Sequence, residues 1–146
     1  MKSLVLITLL VTSLTHPNDS VRDRFRQFID AENARDSVAV RKMLWDSPDM
    51  VFAPMGKRDS AVYTGYWGTD NAMTHFNFLY RLGIHLEPDY QNERVVLLDK
   101  DVAEIFVPAK LSFPDRAPLP FLVMAYWVRS KGEWKLSTDI AVPVTH

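Results

Sequence analysis

The chain contains no cysteine, which removes disulfides, thiol nucleophiles and thiolate metal sites at once. It also lacks an apolar run long enough to cross a bilayer, since a crossing needs about 20 consecutive apolar residues. Neither sign of charge dominates. The net charge is -1, and Lys and Arg are interspersed with Asp and Glu, so no basic stripe exists to neutralise phosphates and nucleic acid is not an expected partner. No glycine-flanked serine, phosphate loop or dinucleotide fingerprint occurs. His16, His75, His85 and His146 show no ligand-like spacing. Neither a cofactor nor a metal is therefore expected. There is no internal repeat and no low-complexity tract.

What is present describes one ordinary globular domain: 146 residues, 47% hydrophobic and 24% charged. A domain of this length buries roughly two-thirds of the surface its unfolded chain exposes, so it needs no covalent staples. At the amino end, Lys2 supplies a positive start and residues 4–14 an apolar segment of signal-peptide length. Val11 and Ser13 are small enough for a cleavage site. The expectation is a signal peptide over residues 1–13 and a single mature domain over 14–146, periplasmic or secreted, with no membrane attachment after cleavage. The alternative is that residues 4–14 form a buried strand or helix of a cytoplasmic protein.

From Ser20 the apolar residues Val21, Phe25, Phe28 and Ile29 recur on one helical face, and Ser20 with Asp23 forms an approximate capping box. Asp36 is placed to cap a short second helix carrying Val38, Val40 and Leu44, which Ser47-Pro48-Asp49 ends. A brief strand over 50–53 follows. A third helix opens at Thr69 or Asp70, presents Ala72, Met73, Phe76, Leu79, Tyr80 and Leu82, and closes at Gly83. The remainder alternates as strands over 94–98, 102–113, 121–129 and 134–142, joined as an antiparallel meander. Pro108 predicts an edge or a bulge in the second of these. Residues 121–128 are apolar on both faces and predict the most buried strand. Residues 114–120, framed by prolines, predict a stiff surface loop.

Three local motifs carry a resemblance. Phe28-Ile29-Asp30-Ala31-Glu32-Asn33-Ala34-Arg35-Asp36 looks like a first helix ending in a small turn before a second. Val51-Phe52-Ala53-Pro54-Met55-Gly56 followed by Thr64-Gly65 looks like a first strand and its glycine. Gly132-Glu133-Trp134-Lys135-Leu136 looks like the opening of a final strand. In this order they resemble the nuclear transport factor two-like superfamily, which includes ketosteroid isomerases and SnoaL-type cyclases. The resemblance covers nearly the whole mature chain. It implies an α+β fold, a cone-shaped curved antiparallel β-sheet wrapped around N-terminal helices (a cystatin-like or SnoaL-like roll), enclosing a pocket. It also implies a homodimer through the exposed sheet face. The positions that in ketosteroid isomerases carry a tyrosine, a strand acid and a proton-shuttling aspartate correspond by motif to Phe28, Met124 and Ala53. None can donate a strong hydrogen bond or take a proton, so that particular chemistry is not expected.

Three titratable residues are candidate catalytic groups. Glu32 follows Phe25 and Phe28 on the apolar stripe, where a buried carboxyl would have a raised pKa; otherwise the stripe has reached its solvated end. His75 lies between Ala72 and Leu79 at helical spacing, as a proton shuttle or as a core histidine bonded to backbone. Asp139 falls beside Lys135 and Ser137 under strict alternation, away from Trp134 and Leu136, unless a bulge reverses the phase. Phe28, Tyr63, Tyr66, Trp67, Met124 and Tyr126 are candidate ligand-binding walls, since aromatic rings suit flat apolar ligands; they suit a core equally well. The expected role is binding of a small, mainly apolar organic molecule. The alternatives are a cofactor-free cyclase, dehydratase or isomerase, and a dimeric accessory or interaction module.

Overall fold

The computed structural model describes residues 17–54 and 65–144, with side chains from Ser20 onward. The expected signal peptide and Tyr63 lie outside the described residues. In chain order the elements are α1 (Pro17–Asn33), α2 (Ser37–Met43), β1 (Val51–Ala53), β2 (Tyr66–Trp67), α3 (Thr69–Arg81), β3 (His85–Pro88), β4 (Arg94–Asp99), β5 (Val102–Phe113), β6 (Arg116–Ser130) and β7 (Glu133–Pro143).

The helices start and stop where the local chemistry directs. Asp36 caps α2 by accepting from the Ala39 N–H at 2.9 Å. Gly83, at φ +73°, closes α3 in the left-handed conformation expected of it. The end of α1 is tied down more firmly than its sequence suggests. Arg35 adopts φ 58° so that the Asp36 N–H can bond the Ala31 carbonyl at 2.9 Å. Asn33 then acts as a strand partner for β3, its amide donating to the Leu86 carbonyl at 2.9 Å and accepting from the Leu86 N–H at 2.8 Å.

The sheet runs β2-β1-β7-β6-β5-β3, with β4 also pairing β5, and its curved, unclosed form is the α+β architecture expected. One pairing differs from the expected meander: β1 lies parallel to β7, with Phe52 opposite Asp139. No hairpin joins those two strands, so nothing local forces them antiparallel. Two proline expectations also change. Pro108 is neither at an edge nor in a bulge but at the gap where the neighbour of β5 switches from β3 to β4. Its carbonyl accepts from the Asp89 N–H at 2.7 Å, so the missing proline donor faces the same gap and breaks no ladder bond. Residues 116–120 belong to β6 rather than to a surface loop; only Pro114 and Asp115 turn. They extend beyond the last β7 pair, Phe121 with Pro143, and an open edge on that side tolerates proline.

The core lies between the helices and one face of the sheet. Ala103, Ile105, Val107 and Ala109 of β5 and Phe121, Val123, Ala125 and Trp127 of β6 are buried there. Phe25 and Phe28 of α1 meet the Trp127 ring edge-on at centroid distances of 6.5 and 6.0 Å, and Phe28 meets Phe76 of α3 at 6.0 Å. Each such phenyl ring contributes about 1.5–3 kcal/mol through burial. The glycine and tryptophan of the last hairpin have plain roles: Gly132 sits at φ +82° in the turn, and the buried Trp134 indole donates to Ser20 Oγ at 2.9 Å.

A bulge in β7 decides which side chains reach the core. Tyr126 pairs Thr138 but Trp127 pairs Leu136, so Ser137 is left without a cross-strand partner. Its hydroxyl donates to the Tyr126 carbonyl at 3.0 Å and pins the irregularity. Leu136 and Ser137 are consecutive yet both buried, and beyond them the alternation is reversed. Ser137→Ala should therefore lower stability by about 1 kcal/mol, the ordinary net worth of one such bond, measurable by urea unfolding.

Candidate functional site

Glu32 of α1 and Asp139 of β7 come from opposite layers of the core, and the Asp139 charge acts on Glu32. Glu32 lies one turn beyond Phe28 in the last turn of α1 and is 4% exposed. Asp139 shares the core face with its two strand partners, Phe52 of β1 and Ala125 of β6, because paired residues point to the same side. Strict alternation would have turned it away; the bulge brings it in. Among the described residues neither carboxyl group has a hydrogen-bond or ion-pair partner.

Burial without a partner disfavours the charged form. It pushes the Asp139 carboxyl from an ordinary 3.8 up to about 7. Burial raises Glu32 well above the usual carboxylate range, and the Asp139 charge raises it further. Both carboxyl groups therefore resist ionisation, and Glu32 resists it further once Asp139 is charged. Near pH 7 Asp139 is about half ionised. A protonated carboxyl group here is a hydrogen-bond donor and an ionised one an acceptor.

The surroundings are aromatic. Phe52 lies against Phe76 at 4.4 Å and Tyr66 against His75 at 4.5 Å, with Phe52 and His75 5.3 Å apart. These rings form a continuous wall beside Asp139. His75 is half-buried, and burial lowers its pKa, so it is neutral at pH 7. Tyr66 lies in this wall. Trp67, the next residue along the strand, points the other way and is 62% exposed. Phe28 is fully buried and packs the wall from behind. A separate cleft of about 390 Å³ between Asp46–Pro48 and Trp67–Asn71 contains none of the candidate acids.

Two expected ligand-binding residues are on the wrong face. Met124 pairs Phe106 and Ile140, and Tyr126 pairs Glu104 and Thr138, all on the side of the sheet away from the helices. Tyr126 hydrogen-bonds Glu104 there, which raises its pKa. Because residues 121–128 are apolar on both faces, periodicity does not distinguish inside from outside. Ala53 joins Ile140 in the same outer row, so two of the three positions mapped from ketosteroid isomerases do not face the core. The acid that the sheet does present inward is Asp139.

One residue that the sequence reading did not single out belongs to the set. Tyr80 of α3 is 7% exposed, and its hydroxyl is buried with no hydrogen-bond partner among the described residues. Burial, then the Glu32 and Asp36 charges, raises its pKa strongly, so the phenol stays protonated. The signal was its spacing. Tyr80 lies four residues after Phe76, as Glu32 lies four after Phe28, so each helix ends its apolar stripe in a polar tip. An unpaired buried hydroxyl is a cost to the free protein. Tyr80→Phe should leave stability unchanged or raise it by about 0.5–1 kcal/mol in a thermal melt, where loss of a bonded hydroxyl would lower it.

No protein-family model and no curated protein matches the chain. Solved structures do. A nuclear transport factor two-like protein of unknown function from Pseudomonas putida superposes with a TM-score of 0.72 at 12% identity, over 88% of this chain and 87% of its own. A ketosteroid isomerase-like protein from Erwinia carotovora gives 0.70 at 14% identity, over 91% and 100%. A protein with a cystatin-like fold from Caulobacter vibrioides gives 0.70 at 15%, over 87% and 89%. With helices, sheet and neighbours in agreement, the chain has the fold of the nuclear transport factor two-like superfamily, as its motifs suggest.

Proposed function

We propose that the protein binds a small, mainly apolar organic molecule against the Phe52–Phe76–Tyr66 wall, with Glu32 and Asp139 meeting its polar end. The observation that supports this most is the pair of inward carboxyl groups, Glu32 buried and Asp139 partly so, neither with a partner among the described residues, since a core gains nothing from them when it is empty. Tyr66, His75 and Asp139 keep part of their surface exposed whereas Glu32 and Tyr80 do not, which fits a site running from a wetted rim to a dry floor. Native mass spectrometry of the purified mature protein tests the reading. A retained small molecule, lost or weakened in Glu32→Gln, is expected; an empty wild-type protein that takes up no apolar ligand would overturn it.

A catalytic reading has its own support. Two carboxyl groups that ionise in sequence supply an acid and a base together, which is what a cofactor-free isomerisation or dehydration requires. It is distinguished by product formation that falls in both Glu32→Gln and Asp139→Asn.

Export and dimerisation complete the proposal. Lys2 and the apolar residues 4–14 support export, and amino-terminal sequencing from the native host should find a mature start near Leu14. Phe106, Leu122, Met124, Ile140 and Val142 form an apolar outer sheet face, which suits a homodimer and also an accessory role. Light scattering should give twice the chain mass.

A further inference from the structure

We infer that the ligand of this site carries a protonated amine, held by three oxygen acceptors: the Glu32 and Asp139 carboxylates and the Tyr80 hydroxyl. The inference rests on the binding reading above and names the chemistry of the ligand's polar end.

The argument starts from what the three groups lack. They come from three separate elements, α1, β7 and α3, and among the described residues none has a hydrogen-bond partner. Glu32 and Tyr80 are more than nine-tenths buried, so water is a poor substitute for one. Among the described residues no cation offsets the two acids either. His75, on the same helix as Tyr80, is kept neutral by burial, and the other titratable groups bearing on the set are Asp36 at the cap of α2 and Tyr66 of β2. Among the described residues, the titratable groups bearing on the set are therefore acidic or neutral.

A ligand anion would meet repulsion here, and a neutral carbonyl would use only the protonated acid and the phenol. A primary ammonium satisfies the whole arrangement, because it has three N–H donors for three acceptors and cancels charge that is otherwise desolvated. The walls agree. Phe52, Phe76 and Tyr66 pack on one another as an apolar surround suited to the body behind the amine. On binding, the remaining carboxyl proton leaves to solvent, so capture of the ammonium below neutrality is coupled to proton release.

The test uses 2-phenylethylamine, its neutral counterpart 2-phenylethanol and the anion phenylacetate, titrated into the mature full chain by calorimetry at pH 8 and pH 5.5. The amine is expected to bind at least about tenfold more tightly than the alcohol at pH 8 and to lose about tenfold at pH 5.5, where Asp139 is protonated. Asp139→Asn and Glu32→Gln should each reduce the ratio of amine to alcohol affinity to less than about twofold. The pH dependence in wild-type protein needs no variant to fold. Equal affinity for amine and alcohol, or tighter binding of the anion, overturns the inference and leaves the apolar-ligand reading standing. Failure of all three ligands to bind overturns both.

Discussion

Replacing Asp139 with asparagine is expected to stabilise the protein at alkaline pH by about 2 kcal/mol and to cost about 1–2 kcal/mol near pH 4, where the carboxyl group is already neutral. A carboxyl group whose pKa is raised on folding binds more protons in the native than in the unfolded chain. The stability it contributes is complete below its unfolded value near 3.8 and is lost as the pH rises through about 7. That interval corresponds to about 4 kcal/mol, of which a buried asparagine amide without partners gives back about 1–2 kcal/mol. Glu32 continues the same trend at higher pH, since its pKa is also raised. Urea unfolding from pH 4 to pH 9 measures this directly. Wild-type stability should fall across the window and Asp139→Asn should flatten the first part of the fall. A wild-type curve rising from pH 4 to pH 7 would show that Asp139 is paired or solvated. A native residue whose removal stabilises the fold is characteristic of a site kept for function.

The second large effect is expected at the opposite end of α1. The Glu93 side chain is 1% exposed and accepts from Arg22 Nε at 2.7 Å, with an Arg26 guanidinium nitrogen 3.7 Å away. Arg26 also lies over the Tyr90 ring at 4.9 Å, and Tyr90 meets Phe25 at 6.5 Å. This cluster fastens the connection between β3 and β4 to the helix. Removing one member of a buried pair costs about 3–5 kcal/mol, but both arginine side chains are roughly a third or more exposed and water will screen them. Glu93→Ala should therefore cost about 2–3 kcal/mol in chemical denaturation. Ligand binding in the surviving folded fraction should be unchanged, because no residue of the cluster faces Glu32 or Asp139. A loss below about 0.5 kcal/mol would mean that the pair is no more than a surface contact.

Much of this architecture is legible in the sequence, and the failures have specific causes. Helical periodicity locates α1 and α3, and the Asp36 cap and the Gly83 stop mark boundaries because each satisfies backbone groups that nothing else can. Alternation gives β5 to the residue. Strand β3 is missed because four residues, His85–Pro88, carry no readable period; it is held by the Asn33 amide, a contact 53 residues away in sequence. Met124 and Tyr126 are misplaced because an apolar strand has no polar face to mark the outside. Within the site, Glu32 is found on a stripe that stays buried to its end. The orientation of Asp139 is not decidable from its neighbours, because the bulge at Ser137 depends on a bond to the backbone of another strand. Tyr80 hides among apolar residues, its phenyl body reading as core.

The central claim is that Glu32 and Asp139 both lie on the core side, with raised pKa values, close enough for the charge of Asp139 to act on Glu32. Carbon-13 NMR titration of the side-chain carboxyl groups tests it most directly, with Asp139 and Glu32 assigned through Asp139→Asn and Glu32→Gln. Asp139 should titrate near 7 and Glu32 well above the usual carboxylate range, and the Glu32 midpoint should drop in Asp139→Asn as the neighbouring charge is removed. Midpoints for both groups below 5, each unaffected by substitution of the other, would contradict the claim.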